Sequence, residues 1–291
     1  MIYEVTHRTT FEYTQSVSIS HHLLHLAPRP NPWQVCHRHA LFVDPSPAVI
    51  ENATDYFGNP TTYITIEGTH DVLSIVSRSQ VEVHQPPPGH PGLSPPWEHA
   101  TQFQQSSSGD MIDICQFVFD SPQTISDGAA REYALASFPP GRPVLEAAVD
   151  LMGRIFHEFH YEGGVTDIST PVDTILKDRR GVCQDFAHLQ ISCLRSMGLP
   201  ARYVSGYILT HPPEGKEKLV GADASHAWLS VWVPGDGWTD LDPTNNQIPS
   251  GEHITVAWGR DYADVSPING LVIGGGNHEI EVSVSVEPRV D

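Results

Sequence analysis

An α+β fold is what the sequence predicts, and three observations predict it. Residues 1 to about 85 alternate apolar and polar side chains with period two, as half-buried strands do. From about residue 143 the apolar spacing becomes helical, and after Pro200 it returns to strands. The 25 prolines and 23 glycines punctuate these runs with turns, which argues against a long helical bundle.

Each element has its own justification. Met1-Ile2-Tyr3-Glu4-Val5 alternates as a first strand, and Val35, His37, His39, Leu41 and Val43 share one side of another. Ile64 and Ile66 alternate with Tyr63, Thr65 and Glu67, and Val72 to Val83 reads as a further strand. Turn chemistry separates them at Pro28-Arg29-Pro30-Asn31-Pro32, Asp44-Pro45-Ser46-Pro47 and Gly58-Asn59-Pro60. Short strands at this spacing predict a β-sandwich over residues 1–95. It ends in Gln85-Pro86-Pro87-Pro88-Gly89-His90-Pro91-Gly92, a linker that neither helix nor central strand accepts.

Residues 96–291 are then expected to form a second domain, with helices packed on an antiparallel sheet. Leu145, Ala148, Met152, Ile155, Phe156 and Phe159 fit one helix face entered through Pro143. A second helix is predicted from about Gln184 to Met197, stopped by Gly198 and Pro200. Its apolar residues surround most of its circumference, so it belongs in a core. Strands follow at Ala201 to Ile208, Ala227 to Val233 and Trp238 to Leu241. The Pro234-Gly235-Asp236-Gly237 turn makes a hairpin of the last two. Ile280, Val282, Val284 and Val286 alternate with Glu281, Ser283, Ser285 and Glu287 in a half-buried final strand.

Composition excludes several classes of function. The chain of 291 residues carries 35 acidic and 16 basic side chains, a formal charge of −19. That charge opposes a phosphate-tracking nucleic-acid face and an anionic membrane surface, so neither partner is expected. No apolar run approaches the ~18 residues of a membrane helix, and the N-terminus lacks a basic-then-apolar signal segment. A cytoplasmic setting is the expectation. Cys36, Cys115, Cys183 and Cys193 show no disulfide or zinc-knuckle spacing and are read as reduced thiols. The 17 histidines contain no zinc-ligand pattern, so no metal is expected. Gly274-Gly275-Gly276 lacks a following phosphate-cradling helix, so no nucleotide cofactor is expected either.

Three segments carry chemistry. In Arg180-Gly181-Val182-Cys183-Gln184-Asp185-Phe186-Ala187 a thiol opens the buried helix. Unpaired N–H groups and partial positive charge there stabilise a thiolate and an oxyanion. In Ala224-Ser225-His226-Ala227-Trp228 a histidine stands at the mouth of a strand, and in Trp238-Thr239-Asp240-Leu241-Asp242-Pro243-Thr244-Asn245 a carboxylate ends the next. The hairpin can bring His226 beside Asp242, which gives nucleophile, base and orienting carboxylate. Each also has a plainer reading: a packed cysteine, a satisfied core histidine and a turn-forming aspartate. Asp240 lies two residues earlier on the same strand face, within reach of His226 if the register slips by one pair.

Gly181-Val182-Cys183-Gln184-Asp185-Phe186-Ala187, Gly198-Leu199-Pro200-Ala201-Arg202-Tyr203-Val204-Ser205-Gly206-Tyr207, Ser225-His226-Ala227-Trp228 and Asp242-Pro243-Thr244-Asn245 together resemble the bacterial transglutaminase-like family. Its members are commonly described, by inference, as cysteine proteases. The match runs from about residue 140 through Gly259-Arg260-Asp261-Tyr262-Ala263-Asp264-Val265, and the N-terminal β-rich segment is similar to the domain that precedes the core in that family. The resemblance implies a papain-like core with Cys183 as nucleophile, His226 as base and Asp242 as orienter. It implies a hydrolase or acyltransferase acting on amide bonds of a protein or peptide substrate through a thioester. The alternatives are a cross-linking transglutaminase, and a non-catalytic binding or scaffold protein on the same fold. Asp223, Arg260, Asp261 and Tyr262 are further candidates for substrate contact.

Overall fold

The computed structural model describes residues 1–87, 89–102, 110–210 and 225–289. The first strand, β1 (Ile2–Leu24), is the spine of the N-terminal sheet. Along its first half it pairs on one side with β5 (His70–Val83) and on the other with β13 (His278–Pro288). Along its second half it pairs with β4 (Pro60–Ile66) and β12 (Ile268–Gly274). The register with β5 breaks between Glu12 and Val17, the kind of irregularity that bends a strand. β2 (Gln34–Asp44) adds to β5, and β3 (Val49–Thr54) adds to β4.

The result is one seven-stranded sheet with two limbs, β2-β5-β1-β13 and β3-β4-β1-β12. Leu24, Leu26, Ile64, Ile66, Leu73 and Ile75 form an apolar cluster drawn from both limbs, with Leu41 and Val43 packed on it. The expected two-sheet sandwich is thus realised as one sheet shared through β1. β12 and β13 return to β1, so residues 268–288 complete the first sheet. A strand as long as β1 leaves two extended edges to be paired, and local alternation does not name the partners.

The remaining chain is helical before it is sheet. It contains α1 (Trp97–Ala100), α2 (Asp110–Cys115), α3 (Gly128–Leu135), α4 (Val144–Glu158), α5 (Val172–Asp178) and α6 (Cys183–Ser196). A second antiparallel sheet follows in the order β10-β9-β8-β11, made of β8 (Ala201–Ile208), β9 (Ser225–Val233), β10 (Gly237–Leu241) and β11 (His253–Gly259). Two-residue strands β6 (His160–Tyr161) and β7 (Arg180–Gly181) pair in parallel just before α6. This is the α+β, papain-like arrangement the sequence predicts.

α6 is buried along nearly its whole length and packs on β8 and β9. It ends where Gly198 takes a left-handed φ of 79°, which an L side chain resists. Arg195, 3% exposed, locks that end by donating to the carbonyls of Phe117, Ala201 and Arg260 and to the hydroxyls of Ser121 and Thr124. One apolar core joins the two parts of the molecule, with Tyr3, Val5, Val81, Val83, Val284 and Val286 packed in the same cluster as α4 and α6.

Two side-chain amides also grip β11 from the N-terminal sheet. Gln34 exchanges hydrogen bonds of 2.7 and 2.8 Å with the backbone of Thr255, and Asn59 exchanges two of 2.9 Å with that of Trp258. Among the described residues no helix is long and apolar enough to cross a membrane.

Candidate active site

Cys183 is the first residue of α6, as the motif requires. Asp185 fixes this turn from within: its Oδ2 accepts from the Val182 N–H at 2.8 Å and from Thr166 Oγ1 at 2.7 Å. Burial pushes the Asp185 carboxyl above its ordinary pKa, against the pull of those two donors. Gly181 is obligatory here, because a Cβ on it would lie 2.7 Å from that same Oδ2. Cys183 is half-buried and packs against the apolar core. The Tyr203 hydroxyl is held far above its usual pKa, first by burial and then by the field of Cys183. Tyr161 feels burial and then the same field, in the same direction.

The hairpin of β9 and β10 brings His226 and Asp242 together. His226 Nε2 lies 2.8 Å from Asp242 Oδ2, with the rings of His226 and Trp228 stacked 6.0 Å apart. A carboxylate only accepts, so Nε2 carries the proton and Nδ1 is left for Cys183. Burial alone would lower the His226 pKa. The hydrogen bond to Asp242, then that to Cys183 and the charges of both, outweigh burial and push it up to about 9.

Asp242 is completely buried, and N–H groups of four residues converge on it. Oδ2 accepts from His226, from His253 Nε2 at 3.0 Å and from Asn245 Nδ2 at 2.8 Å. Oδ1 accepts from the N–H groups of Thr244 and Asn245. Burial would raise the Asp242 pKa, but the bonds from His226, His253 and Asn245 hold it well below the usual carboxylate range.

Among the described residues, His226, Asp242 and His253 form a group that could hold a metal ion, since their ligand atoms lie within 4.8 Å of one another. Both Nε2 to Oδ2 distances are hydrogen-bond distances, which puts protons where an ion would sit.

Asp240 does not compete for His226. Its carboxylate accepts from Trp228 Nε1 at 3.0 Å and from Ser230 Oγ. Asp223 lies outside the described residues. Arg260 points elsewhere: its guanidinium makes a two-pronged ion pair with Asp264, both bonds 2.9 Å, beside a shallow pocket lined by Tyr56, Phe57 and Phe119. Asp261 is fully buried and caps the short turn Tyr262–Asp264, accepting from the N–H groups of Ala263 and Gln123. Its oxygens are committed to the fold. Tyr262 sets its ring edge-on to that of Tyr203 and donates its N–H to His188 Nε2 on α6.

Sequence reasoning missed His253 and Asn245. Asn245 stood inside a quoted motif, three residues after Asp242, but His253 has no spacing that signals it. A cavity of about 1070 Å³ lies beside this centre. Trp33, Arg202, Trp238, Trp258 and His253 line it, whereas Cys183 and His226 do not.

Comparison with known proteins bears on the family and the fold. Residues 3–82 match the bacterial transglutaminase-like N-terminal region, and residues 135–243 match the transglutaminase-like superfamily. An uncharacterized protein of Mycobacterium tuberculosis is 45% identical over 98% of this chain and 92% of its own length. A protein-glutamine gamma-glutamyltransferase of Pseudomonas aeruginosa is 31% identical over 42% of this chain but only 20% of its own length. The crystal structure of a Cytophaga hutchinsonii protein, named by inference as a cysteine protease, superposes with a TM-score of 0.75. That superposition covers 100% of this chain and 92% of the other at 20% identity, so the likeness is one of fold. With both family regions matched in order and a relative similar along nearly its whole length, the chain belongs to the bacterial transglutaminase-like family.

Proposed function

We propose that the protein is a cysteine-dependent hydrolase of amide bonds in proteins or peptides, with Cys183 as nucleophile, His226 as acid and base, and Asp242 as orienter. The observation that carries this reading is the buried 2.8 Å pair of His226 Nε2 and Asp242 Oδ2, set beside the thiol that opens α6. Cys183 Sγ attacks the amide carbon, and the N–H groups of the first turn of α6 face the oxyanion that forms. The C–N bond breaks as His226 gives its proton to the leaving nitrogen, and ammonia or an amine departs. A thioester remains. Water, deprotonated by His226, attacks it, releasing the acid and returning the thiol. The four unpaired cysteines accord with a cytoplasmic setting for this chemistry.

The Pseudomonas relative's name favours a second reading, in which a primary amine replaces water and the product is a new amide. Incubation with peptide libraries, with and without a primary amine, separates the two when followed by mass spectrometry. Cleavage or deamidation is the expected result, and amine incorporation that outpaces hydrolysis would establish transfer instead. Cys183→Ala is expected to abolish either product, by several orders of magnitude in rate. Cys193→Ala, a core position on the same helix, is the control that leaves product formation intact. Residual turnover above about a tenth in Cys183→Ala would refute covalent catalysis by this thiol.

A further inference from the structure

We propose that His253 is a positioning residue, a second imidazole that fixes the Asp242 carboxylate in place for His226, and that the N-terminal sheet in turn holds His253. The proposal rests on the catalytic reading of Cys183, His226 and Asp242, and extends it to residues outside the four motif segments.

The contact itself is the first argument. His253 Nε2 lies 3.0 Å from the same Asp242 oxygen that His226 contacts at 2.8 Å. Because a carboxylate cannot donate, both imidazoles present Nε2–H to it. With Asn245 Nδ2 as a third donor, Oδ2 is held from three directions and has no freedom to turn away from His226.

The cost accepted for this contact is the second argument. His253 is 5% exposed, and among the described residues its Nδ1 has no hydrogen-bond partner. A buried imidazole satisfied at one nitrogen only is an expense that an apolar residue would avoid, so the Nε2 contact is what the position serves.

Its mounting is the third argument. His253 opens β11, the edge strand of the catalytic sheet, and its ring meets that of Trp228 edge-on at 5.1 Å. On one side β11 pairs with β8. On the other, where a strand would be missing, Gln34 and Asn59 supply strand-like pairs of hydrogen bonds to Thr255 and Trp258. Residues near positions 34 and 59 thereby set the place of a ring that sets the place of Asp242. The groups facing Asp242 and His226 are Asn245 from the loop after β10, His253 from β11 and Cys183 from α6.

The test is an NMR titration of the His226 ring in the full chain, run for His253→Phe and His253→Gln. Phenylalanine keeps the ring shape without the donor, and glutamine offers an amide N–H near the place of Nε2. A loosened Asp242 is expected to lower the His226 pKa by about one pH unit in His253→Phe, with recovery in His253→Gln. An unchanged His226 titration in folded His253→Phe would overturn the proposal and leave the ring as packing. A rise would overturn it too, because it would mean that His253 competes with His226 for Oδ2. Should His253→Phe fail to fold, Gln34→Met must lower the His226 pKa in the same direction by a smaller amount, and no shift there refutes the chain of support. Alkylation rates of Cys183 and Cys36, measured on the same samples, isolate the catalytic reading. If Cys183 reacts no faster than Cys36 while the His226 titration still follows His253, the catalytic reading falls and the positioning stands.

Discussion

The pairing of His226 with Asp242 makes the stability of the whole chain depend on pH over a definite window. In an unfolded chain the imidazole has its ordinary pKa of 6.5, and in the folded protein it stands at about 9. A raised pKa contributes stability that is complete below pH 6.5 and is lost as pH rises through 9. The gap between those values corresponds to about 3 kcal/mol, of which about half remains midway through the window. At 7% exposure the ring is shielded enough that this figure needs no discount for solvent screening.

Other buried histidines do not confuse the reading. His7, His22 and His188 are each pushed down to about 4 by burial, so they charge on unfolding only below pH 6.5. Asp242 belongs to the same pair, and its own contribution, present above the ordinary carboxylate range, disappears only in strong acid. Urea midpoints measured at pH 7, 8 and 9, above the range in which those three histidines charge on unfolding, are therefore expected to fall progressively for the wild-type chain. Asp242→Asn removes the larger support of the imidazolium and should flatten most of that fall, while Cys183→Ala should flatten less of it. A wild-type midpoint that does not change between pH 7 and 9, or an equal slope in Asp242→Asn, would refute the ion-pair reasoning.

Asp240→Asn should leave turnover nearly intact and cost about 1–3 kcal/mol, because its carboxylate serves Trp228 and Ser230. Asp242→Asn should instead lose about 10²–10⁴ in turnover, and the contrast is read from rates beside unfolding midpoints. Gly206→Ala should destabilise by about 1–3 kcal/mol or more, because its Cβ would stand 2.1 Å from the Ile254 carbonyl oxygen and 2.5 Å from the Trp228 ring. Since Gly206 is paired with His226, activity should fall as well, and an unchanged melting temperature would show that β8 and β11 can spread apart.

The parts of this molecule that were legible in the sequence are those determined by neighbours in the chain. Pro143 and Gly198 mark helix ends through backbone geometry alone, and both helices lie within a residue or so of their expected bounds. The thiol, imidazole and carboxylate were legible because each sits at a junction with its own local signature, a helix start, a strand mouth and a strand end. What the sequence hid is settled by distant residues. Alternation marks Val284 and Val286 as one face of a strand, yet nothing in it names β1 as the partner. Asp261 reads as a polar residue near a cleft, and only the folded chain shows its oxygens spent on Gln123 and Ala263. His253 was one histidine among 17 until folding set it against Asp242.

The return of β13 to β1 also governs how the molecule bears a load. The two strands run antiparallel through eleven paired positions, from Tyr3 opposite Pro288 to Tyr13 opposite His278. A further bond joins the Arg289 N–H to the Ile2 carbonyl. Tension applied between residues 2 and 289 therefore falls on the terminal rung first and opens the ladder one rung at a time, like a zip. The sheet that carries His226 and Asp242 lies outside that line of force. In a single-molecule pull, β13 should peel away at low force as a separate early step, before the unit that carries the chemistry gives way.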